Sequence, residues 1–284
     1  MKSVEMMFTL VALLLTFLVF INAHSWVEDL RVIDENGYYI GQSGYPRGYV
    51  DRTNPSFTDK AMTYLLPSGR QRLDYGDPVC SQSQNSRLQQ TQGYPKLAVA
   101  PGDNIALRYL ENGHVTLPDL SARRSTPSGH VSVFGSVEDS ANHVLDVLQW
   151  DPVSDDNATG LLTTQDFDDG RCYQINQGSI STLRQQQFPN PSPEAPESKH
   201  ELWCESNVKI PEIVPIGSVY TIYWIWNWST NETVENGGKE EYYTTCCDVD
   251  VRSRESIDYR NTAYNSRNPQ VKAVKDYLLR AQSS

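Results

Sequence analysis

The amino-acid sequence predicts an all-β protein, a β-sandwich with long loops and a short C-terminal helix. Three observations predict it. Strand-like runs dominate the chain, clusters of Gly, Pro, Asn and Asp punctuate the intervals, and helical periodicity is scarce. Residues 25–33 read as a first strand, Asn104–Tyr109 as another and residues 131–134 as a short third. Residues 219–226 (VYTIYWIW) are dense in β-branched and aromatic side chains and predict a central strand. Residues 241–251 (EYYTTCCDVDV) follow a hydrophilic turn containing Gly, so a hairpin-like pairing with that strand is expected. Helical pattern is limited to residues 182–187, enough for a turn, and residues 270–282, which read as a short amphipathic helix. Residues 185–198 (QQQFPNPSPEAPES) are Pro-rich and polar and read as an exposed loop. Cys172 and Cys204 flank that loop and could staple its base, so it is not read as a domain boundary.

The first 23 residues have the three parts of a secretory signal. Lys2 gives a positive start, residues 6–20 form an almost unbroken apolar run, and Ile21-Asn22-Ala23 offers the small residue a signal peptidase needs. A spanning helix takes about 20 apolar residues; this run is shorter, so cleavage after Ala23 is expected rather than an anchor. The expected organisation is a signal over 1–23, one sandwich domain over 24–252 and a partly helical extension over 253–284, secreted and extracellular. The formal net charge of −11 is unchanged by loss of the leader, whose Lys2 and Glu5 cancel. Such acidity argues against nucleic-acid or anionic-membrane partners, which reward clustered Lys and Arg. Together with the many Tyr and Trp residues it suits a soluble monomer that meets neutral carbohydrate. The five cysteines, Cys80, Cys172, Cys204, Cys246 and Cys247, lack metal-site spacing and predict two disulfides and one leftover thiol. N-x-S/T sequons at Asn157, Asn227 and Asn231 fit secretion.

Cleavage after Ala23 has a chemical consequence. It gives His24 a free α-amine beside its imidazole, so that amine and Nδ1 can close a chelate on one metal ion. The pKa of an α-amine is about 8, so a metal can displace its proton at mild pH. A second imidazole opposite would complete three nitrogens in a near-planar array, which favours copper. Four other histidines could supply it. His114 follows a predicted strand in PGDNIALRYLENGH, where a strand ends in a turn and a rigid sheet can present the ring. His130 has a similar Gly-His setting and is the second choice; His143, in an acidic loop, and His200, beside the Pro-rich loop, read better as solvated surface. Trp224, Trp226 and Trp228 alternate on one face of a strand and read as core. Tyr38, Tyr39, Tyr45 and Tyr49 lie close in sequence to His24 and could stack on sugar rings.

The mature start His24-Ser25-Trp26, the PGD-x-IALRY-x-ENGHVT stretch and the EYYTTCCDVDV strand together resemble the lytic polysaccharide monooxygenases and their fungal-type relatives. That resemblance implies an immunoglobulin-like or fibronectin III-like sandwich carrying one copper ion in a histidine brace. It implies that His24 supplies the amine and Nδ1 and His114 the third nitrogen. The family places a Tyr or Phe axially on a strand with a Tyr-x-x-x-Asp-like ending, which implies Tyr243, with Tyr242 as the alternative. Glu241 shares the Tyr243 face by alternation and is a candidate hydrogen-bonding group, or an ordinary surface carboxylate. The resemblance also implies a Cys80–Cys246 bridge that leaves Cys247 free, with Cys172–Cys204 as the second. The implied activity is oxidative cleavage of glycosidic bonds in a polysaccharide (cellulose, chitin or hemicellulose) with an external electron donor. Two alternatives stand beside it. One is a secreted copper-binding protein for capture, delivery or stress protection; the other is a structural protein in which His24 is accidental. The chain departs from better-known members in its longer-looped approach to His114 and in the Cys246-Cys247 doublet.

Overall fold

The computed structural model describes residues 24–35, 37–117, 127–139, 143–188, 201–231 and 237–260. Among these residues ten strands run in chain order: β1 (Val27–Ile33), β2 (Tyr39–Gly44), β3 (Leu65–Leu66), β4 (Leu97–Val99), β5 (Asn104–Tyr109), β6 (His130–Ser136), β7 (Gly160–Asp166), β8 (Cys204–Lys209), β9 (Val219–Asn227) and β10 (Tyr242–Val251). Among the described residues two α-helices interrupt them, α1 (Val144–Val147) and α2 (Ser179–Gln187). The strands form a four-stranded sheet in the order β2-β1-β5-β8 and a six-stranded sheet in the order β3-β10-β9-β6-β7, with β4 parallel against β10. This is the expected all-β sandwich. The pairing of β9 with β10 is also as expected: they run antiparallel through nine registered positions, from Tyr242 opposite Asn227 to Asp250 opposite Val219.

Alternation explains how one strand can serve two packing layers. On β9, Ile222, Trp224 and Trp226 enter the core between the sheets, where they meet Leu30 and Val32 of β1, Leu107 and Tyr109 of β5, and Val208 of β8. Tyr223 and Ile225 point the other way, into a second layer formed with Leu66, Val79, Phe134, Val144, Val147 and Cys246. A buried aromatic side chain removes roughly 150–250 Å² from water, on the order of 4–6 kcal/mol at 25 cal/mol per Å². Both faces of β9 are thus covered, one by each layer. The core tryptophans are buried as expected. Gly135 on β6 is required by this packing, because a Cβ there would overlap the Tyr220 hydroxyl.

Two disulfides and the buried Arg47–Asp248 ion pair tie loops to the sheets. Cys80–Cys246 ties the long 45–96 connection to β10, Cys172–Cys204 ties the segment before α2 to β8, and Cys247 is free and buried. This is the implied connectivity, and it follows the strand parity: Cys247 lies in the inter-sheet core and Cys246 in the outer layer. Arg47, 1 % exposed, donates from Nε and Nη2 to the two carboxylate oxygens of Asp248 at 2.8 Å each, and from Nη1 to the Gln84 carbonyl at 3.0 Å.

The structure adds to the sequence reading in several places. Strands β2, β3, β4, β7 and β8 and helix α1 were not anticipated, α2 starts at Ser179 rather than 182, and β6 runs longer than 131–134 at both ends. The expected helix at 270–282 lies outside the described residues, as does most of the 185–198 loop. Of the proposed extension, residues 253–260 are described: Tyr259 packs against the core and its hydroxyl donates to Asp103 at 2.6 Å. Among the described residues, no helix is long and apolar enough to cross a membrane.

Candidate metal centre

The candidate site sits at one end of the sandwich, where β1 begins, β5 ends, β9 ends and β10 begins. Val27 pairs with Tyr109, and Tyr243 pairs with Trp226. Three contacts fix the residues ahead of β1. The Ser25 hydroxyl donates to the Leu110 carbonyl at 2.7 Å, and Val27 N–H donates across the sandwich to Thr245 Oγ1 at 3.2 Å. Asn112 Nδ2 donates to the His24 carbonyl. His24 is thereby held between the two sheets. Its ring meets Tyr243 edge-on, with centroids 6.3 Å apart and planes at 87°. His24 Nδ1 is buried and has no hydrogen-bond partner among the described residues.

His114 lies on the turn that follows β5. The turn needs two residues with left-handed backbone, and the sequence provides Asn112 (φ 46°) and Gly113 (φ 84°). Asn tolerates this region better than other side chains, and Gly enters it without steric cost. The Glu111 carboxylate, 2 % exposed, organises the rest. It accepts from Val115 N at 2.8 Å, Thr116 N at 3.3 Å, Gln174 N at 2.9 Å and the Thr116 hydroxyl. His114 is 3 % exposed, and its ring meets Trp228 at 4.1 Å, Trp226 at 4.7 Å and Phe167 at 6.0 Å between centroids. Trp226 in turn stacks on Tyr243 at 4.8 Å. Tyr243, Trp226 and His114 therefore form one continuous wall that begins at His24.

Parity separates the two tyrosine candidates. Tyr243 belongs to the inter-sheet core and contacts His24, while Tyr242 packs in the outer layer and its hydroxyl accepts from Asn227 Nδ2 at 3.2 Å. Glu241 precedes β10. Its carboxylate holds Lys239 Nζ at 2.6 Å and its carbonyl accepts from Trp228 N at 2.8 Å. His130 points outward from β6 and pairs with Asp166 at 2.9 Å, its side chain 45 % exposed. His143 precedes α1 without a side-chain capping bond and its backbone bridges to Pro78. His200 lies outside the described residues.

The tyrosines proposed as a sugar platform are arranged differently. Tyr38 and Tyr39 follow β1 at its far end, about 20 Å from Val27 at roughly 3.3 Å per residue. Tyr39 is half-buried and donates to Glu205. Tyr45 and Tyr49 are on the His24 side but turn inward, with centroids 4.9 Å apart, and Tyr94 packs on both. Their apolar faces are used in a small aromatic layer with Trp26, Met62 and Phe57. Beneath that layer, burial raises the Glu28 carboxyl above its ordinary value, against the opposing charge of Arg52, whose guanidinium lies 4.6 Å over Trp26.

One further group of potential ligands, Asp169, Cys172 and Cys204, lies within 4.8 Å. Its sulfurs are consumed by the disulfide, and Asp169 Oδ1 already accepts from Arg171 N and Cys172 N. It offers no metal site. The structural parts that sequence reasoning missed are Asn112 and Glu111, which shape the turn, and the role of Trp226 and Trp228 as the wall around His114. The Asn112-Gly113 pair three residues past the end of β5 was the one signal that could have pointed to the turn.

The chain belongs to the family described as Domain of unknown function (DUF7492), whose model matches residues 21–276. No curated protein matches it. Among solved structures it is similar to CvAA9A, at 11 % identity and a TM-score of 0.33, over 86 % of this chain and 88 % of that one. It is also similar to a cellulose-active polysaccharide monooxygenase from M. thermophila, at 15 % identity and a TM-score of 0.30, over 81 % and 78 %. A third is Cel61B from Hypocrea jecorina, a glycoside hydrolase family 61 member, at 13 % identity and a TM-score of 0.30, over 87 % and 93 %.

Proposed function

We propose that this is a secreted copper protein, one ion per chain, that oxidatively cleaves glycosidic bonds in a polysaccharide. The observation that supports it most is the His24 Nδ1, a buried nitrogen with no hydrogen-bond partner among the described residues. Leaving such a nitrogen unsatisfied costs on the order of 1–3 kcal/mol, and a bound metal removes that cost. The setting fits a nitrogen-rich donor set: Asn112 anchors the His24 carbonyl from a position two residues ahead of His114. Cleavage after Ala23 would add the His24 amine, and a ring nitrogen of His114 would be the third donor. Copper held there would supply one-electron redox chemistry toward dioxygen or hydrogen peroxide, with electrons from an external donor. The chain's own residues do the rest. Ser25 and Asn112 fix the N-terminal backbone, Trp226 and Trp228 exclude water from the His114 ring, and Tyr243 closes the inner side. Glu241, whose carboxylate holds Lys239 Nζ, is proposed as a hydrogen-bonding group of the site.

A second reading is copper capture or delivery without polysaccharide oxidation. The exposures of His114 and Tyr243, 3 % and 4 %, favour it, because a recessed centre suits retention. One experiment separates the readings. The secreted protein is sequenced from its N-terminus, titrated with Cu(II), and incubated with ascorbate on cellulose, chitin and xylan. The expected result is a start at His24, tight binding with a tetragonal Cu(II) spectrum, at least a 100-fold loss of affinity in His114→Ala, and oxidised oligosaccharides. Binding without products on any of the three leaves capture. A start at another residue, or no copper binding, overturns both.

A further inference from the structure

We propose that Asn157 carries an N-linked glycan and that the Asn227 sequon stays bare, so that the glycan stands at the end of the sandwich opposite the candidate metal centre. The inference rests on the secretion reading above and goes beyond it by assigning sites. In a secretory compartment the Asn Nδ2 attacks the anomeric carbon of a lipid-diphosphate-linked oligosaccharide. A C–N bond forms, the C–O bond to the diphosphate breaks, the lipid diphosphate leaves with the electron pair, and the amide loses one proton. The step is redox-neutral and precedes folding. A used sequon must therefore leave Nδ2 accessible once the chain has folded.

Asn157 meets that condition. It is exposed, in a turn where Ser154 and Asn157 exchange backbone hydrogen bonds at 3.0 and 3.3 Å. Its Oδ1 accepts from Thr159 N at 2.9 Å, and no described residue bonds its Nδ2. The neighbouring Ala158 carbonyl accepts from the Tyr220 hydroxyl at 2.6 Å, which fixes the turn beside the first residues of β9. The candidate metal centre lies at the other end of that strand. From Tyr220 to Trp226 the strand spans roughly 20 Å at about 3.3 Å per residue.

Asn227 fails the condition. Its Nδ2, the atom a glycan would occupy, donates to the Tyr242 hydroxyl at 3.2 Å, and its Oδ1 accepts from Ser229 N at 3.0 Å. Ser229 Oγ in turn accepts from Glu241 N at 3.0 Å. Its backbone is equally confined, since a Cβ on Gly129 would overlap the Asn227 carbonyl. A glycan on Nδ2 would displace Tyr242 and loosen the β9–β10 end that carries Trp226, Trp228 and Tyr243. Chains glycosylated there fold poorly and are removed from the secreted population.

The test is site-resolved mass spectrometry of the full-length protein secreted from a eukaryotic host, after peptide-N-glycosidase treatment in ¹⁸O water. Asn157 is expected in the labelled Asp form in most molecules and Asn227 as unlabelled Asn. Asn157→Gln should lower the intact mass by one glycan and leave Cu(II) affinity within twofold of the parent. Label at Asn227, or its absence from Asn157, overturns the proposal. N-terminal sequencing of the same sample tells the failures apart. A bare Asn157 on a chain starting at His24 refutes the placement alone, whereas a bare chain retaining its leader refutes the secretion reading with it.

Discussion

Replacing Glu111 by Ala removes the carboxylate that shapes the His114 turn. Three backbone N–H groups, of Val115, Thr116 and Gln174, lose their acceptor at once, together with the Thr116 hydroxyl. A hydrogen bond to a charged acceptor contributes about 1.5–3 kcal/mol net, and a stranded buried donor costs about 1–3 kcal/mol. Water entering the vacated space restores part of this. So does relief at Glu201, whose carboxyl is raised by burial and by the charge of Glu111. The expected loss is about 3–5 kcal/mol in urea unfolding of the apo protein. Glu111→Gln is milder for a geometric reason. Its carbonyl can keep the Val115 and Thr116 amides while its NH2 faces the Thr116 hydroxyl, so only the Gln174 amide is stranded, at about 1–2 kcal/mol. In the proposed copper site both variants should weaken Cu(II) binding in the same order, because the turn sets the His114 ring. A stability loss below 1 kcal/mol for Glu111→Ala refutes the hydrogen-bond argument. A full stability loss with unchanged copper affinity refutes the positioning role.

Asp248→Ala leaves the buried Arg47 guanidinium without its two-point partner, and breaking such a pair costs about 3–5 kcal/mol; calorimetry should show a large fall in Tm. Cys247 should resist iodoacetamide at pH 8 in the folded protein and react after unfolding, since burial and the Asp248 charge push its thiol up; rapid labelling of native protein would contradict its core placement. Burial raises the carboxyls of Glu28, Glu201 and Glu205 above 4.5, each also under a neighbouring acid, while Arg52 or Arg171 opposes. A raised carboxyl binds its proton more tightly in the folded state, so the stability it contributes is complete below 4.5 and is lost as pH rises through the folded value. Thermal unfolding should therefore occur at higher temperature at pH 5 than at pH 7. Asp51, held low by Thr53 and Tyr94 against its own burial, works in the opposite sense only below that window.

What was legible in the sequence divides along one physical line. The five strands read correctly, β1, β5, β6, β9 and β10, are the interior strands of the two sheets. The five missed, β2, β3, β4, β7 and β8, are all at sheet edges. An interior strand is covered by neighbours on both sides and carries a dense apolar record, as in VYTIYWIW. An edge strand such as β8 (CESNVK) carries polar residues on its outer face, and its composition reads as loop. Its hydrogen bonds explain why it is a strand nonetheless: β5 pairs along one side, and side chains satisfy the other. Asp169 accepts from Glu205 N at 3.1 Å, and Gln165 accepts from Asn207 N at 3.2 Å and donates to the Asn207 carbonyl at 2.6 Å. No periodicity in one sequence reveals such long-range capping. That Tyr243 and Tyr242 take opposite faces of β10 was legible because parity is a local property. The Glu111 network was not, since it joins residues that only the fold brings together.

The same division explains why the candidate site could be assembled from sequence at all. Each of its members borders an interior strand. His24 leads into β1, the His114 turn leaves β5, Trp226 is on β9 with Trp228 just beyond it, and Tyr243 is on β10. Antiparallel pairing of β1 with β5 and of β9 with β10 brings one start and one end from each pair to the same end of the sandwich. The remaining requirement is length. Only Ser25 and Trp26 separate His24 from β1, and both are buried, so the backbone before the strand has no slack. Val27 is fixed to Thr245, Ser25 to Leu110 and the His24 carbonyl to Asn112. The position of the His24 nitrogen thus follows from sheet register, and one residue more or fewer before β1 would carry a different side chain to Tyr243. In the proposed copper reading, the leader's cleavage point and the register of β1 are a single constraint.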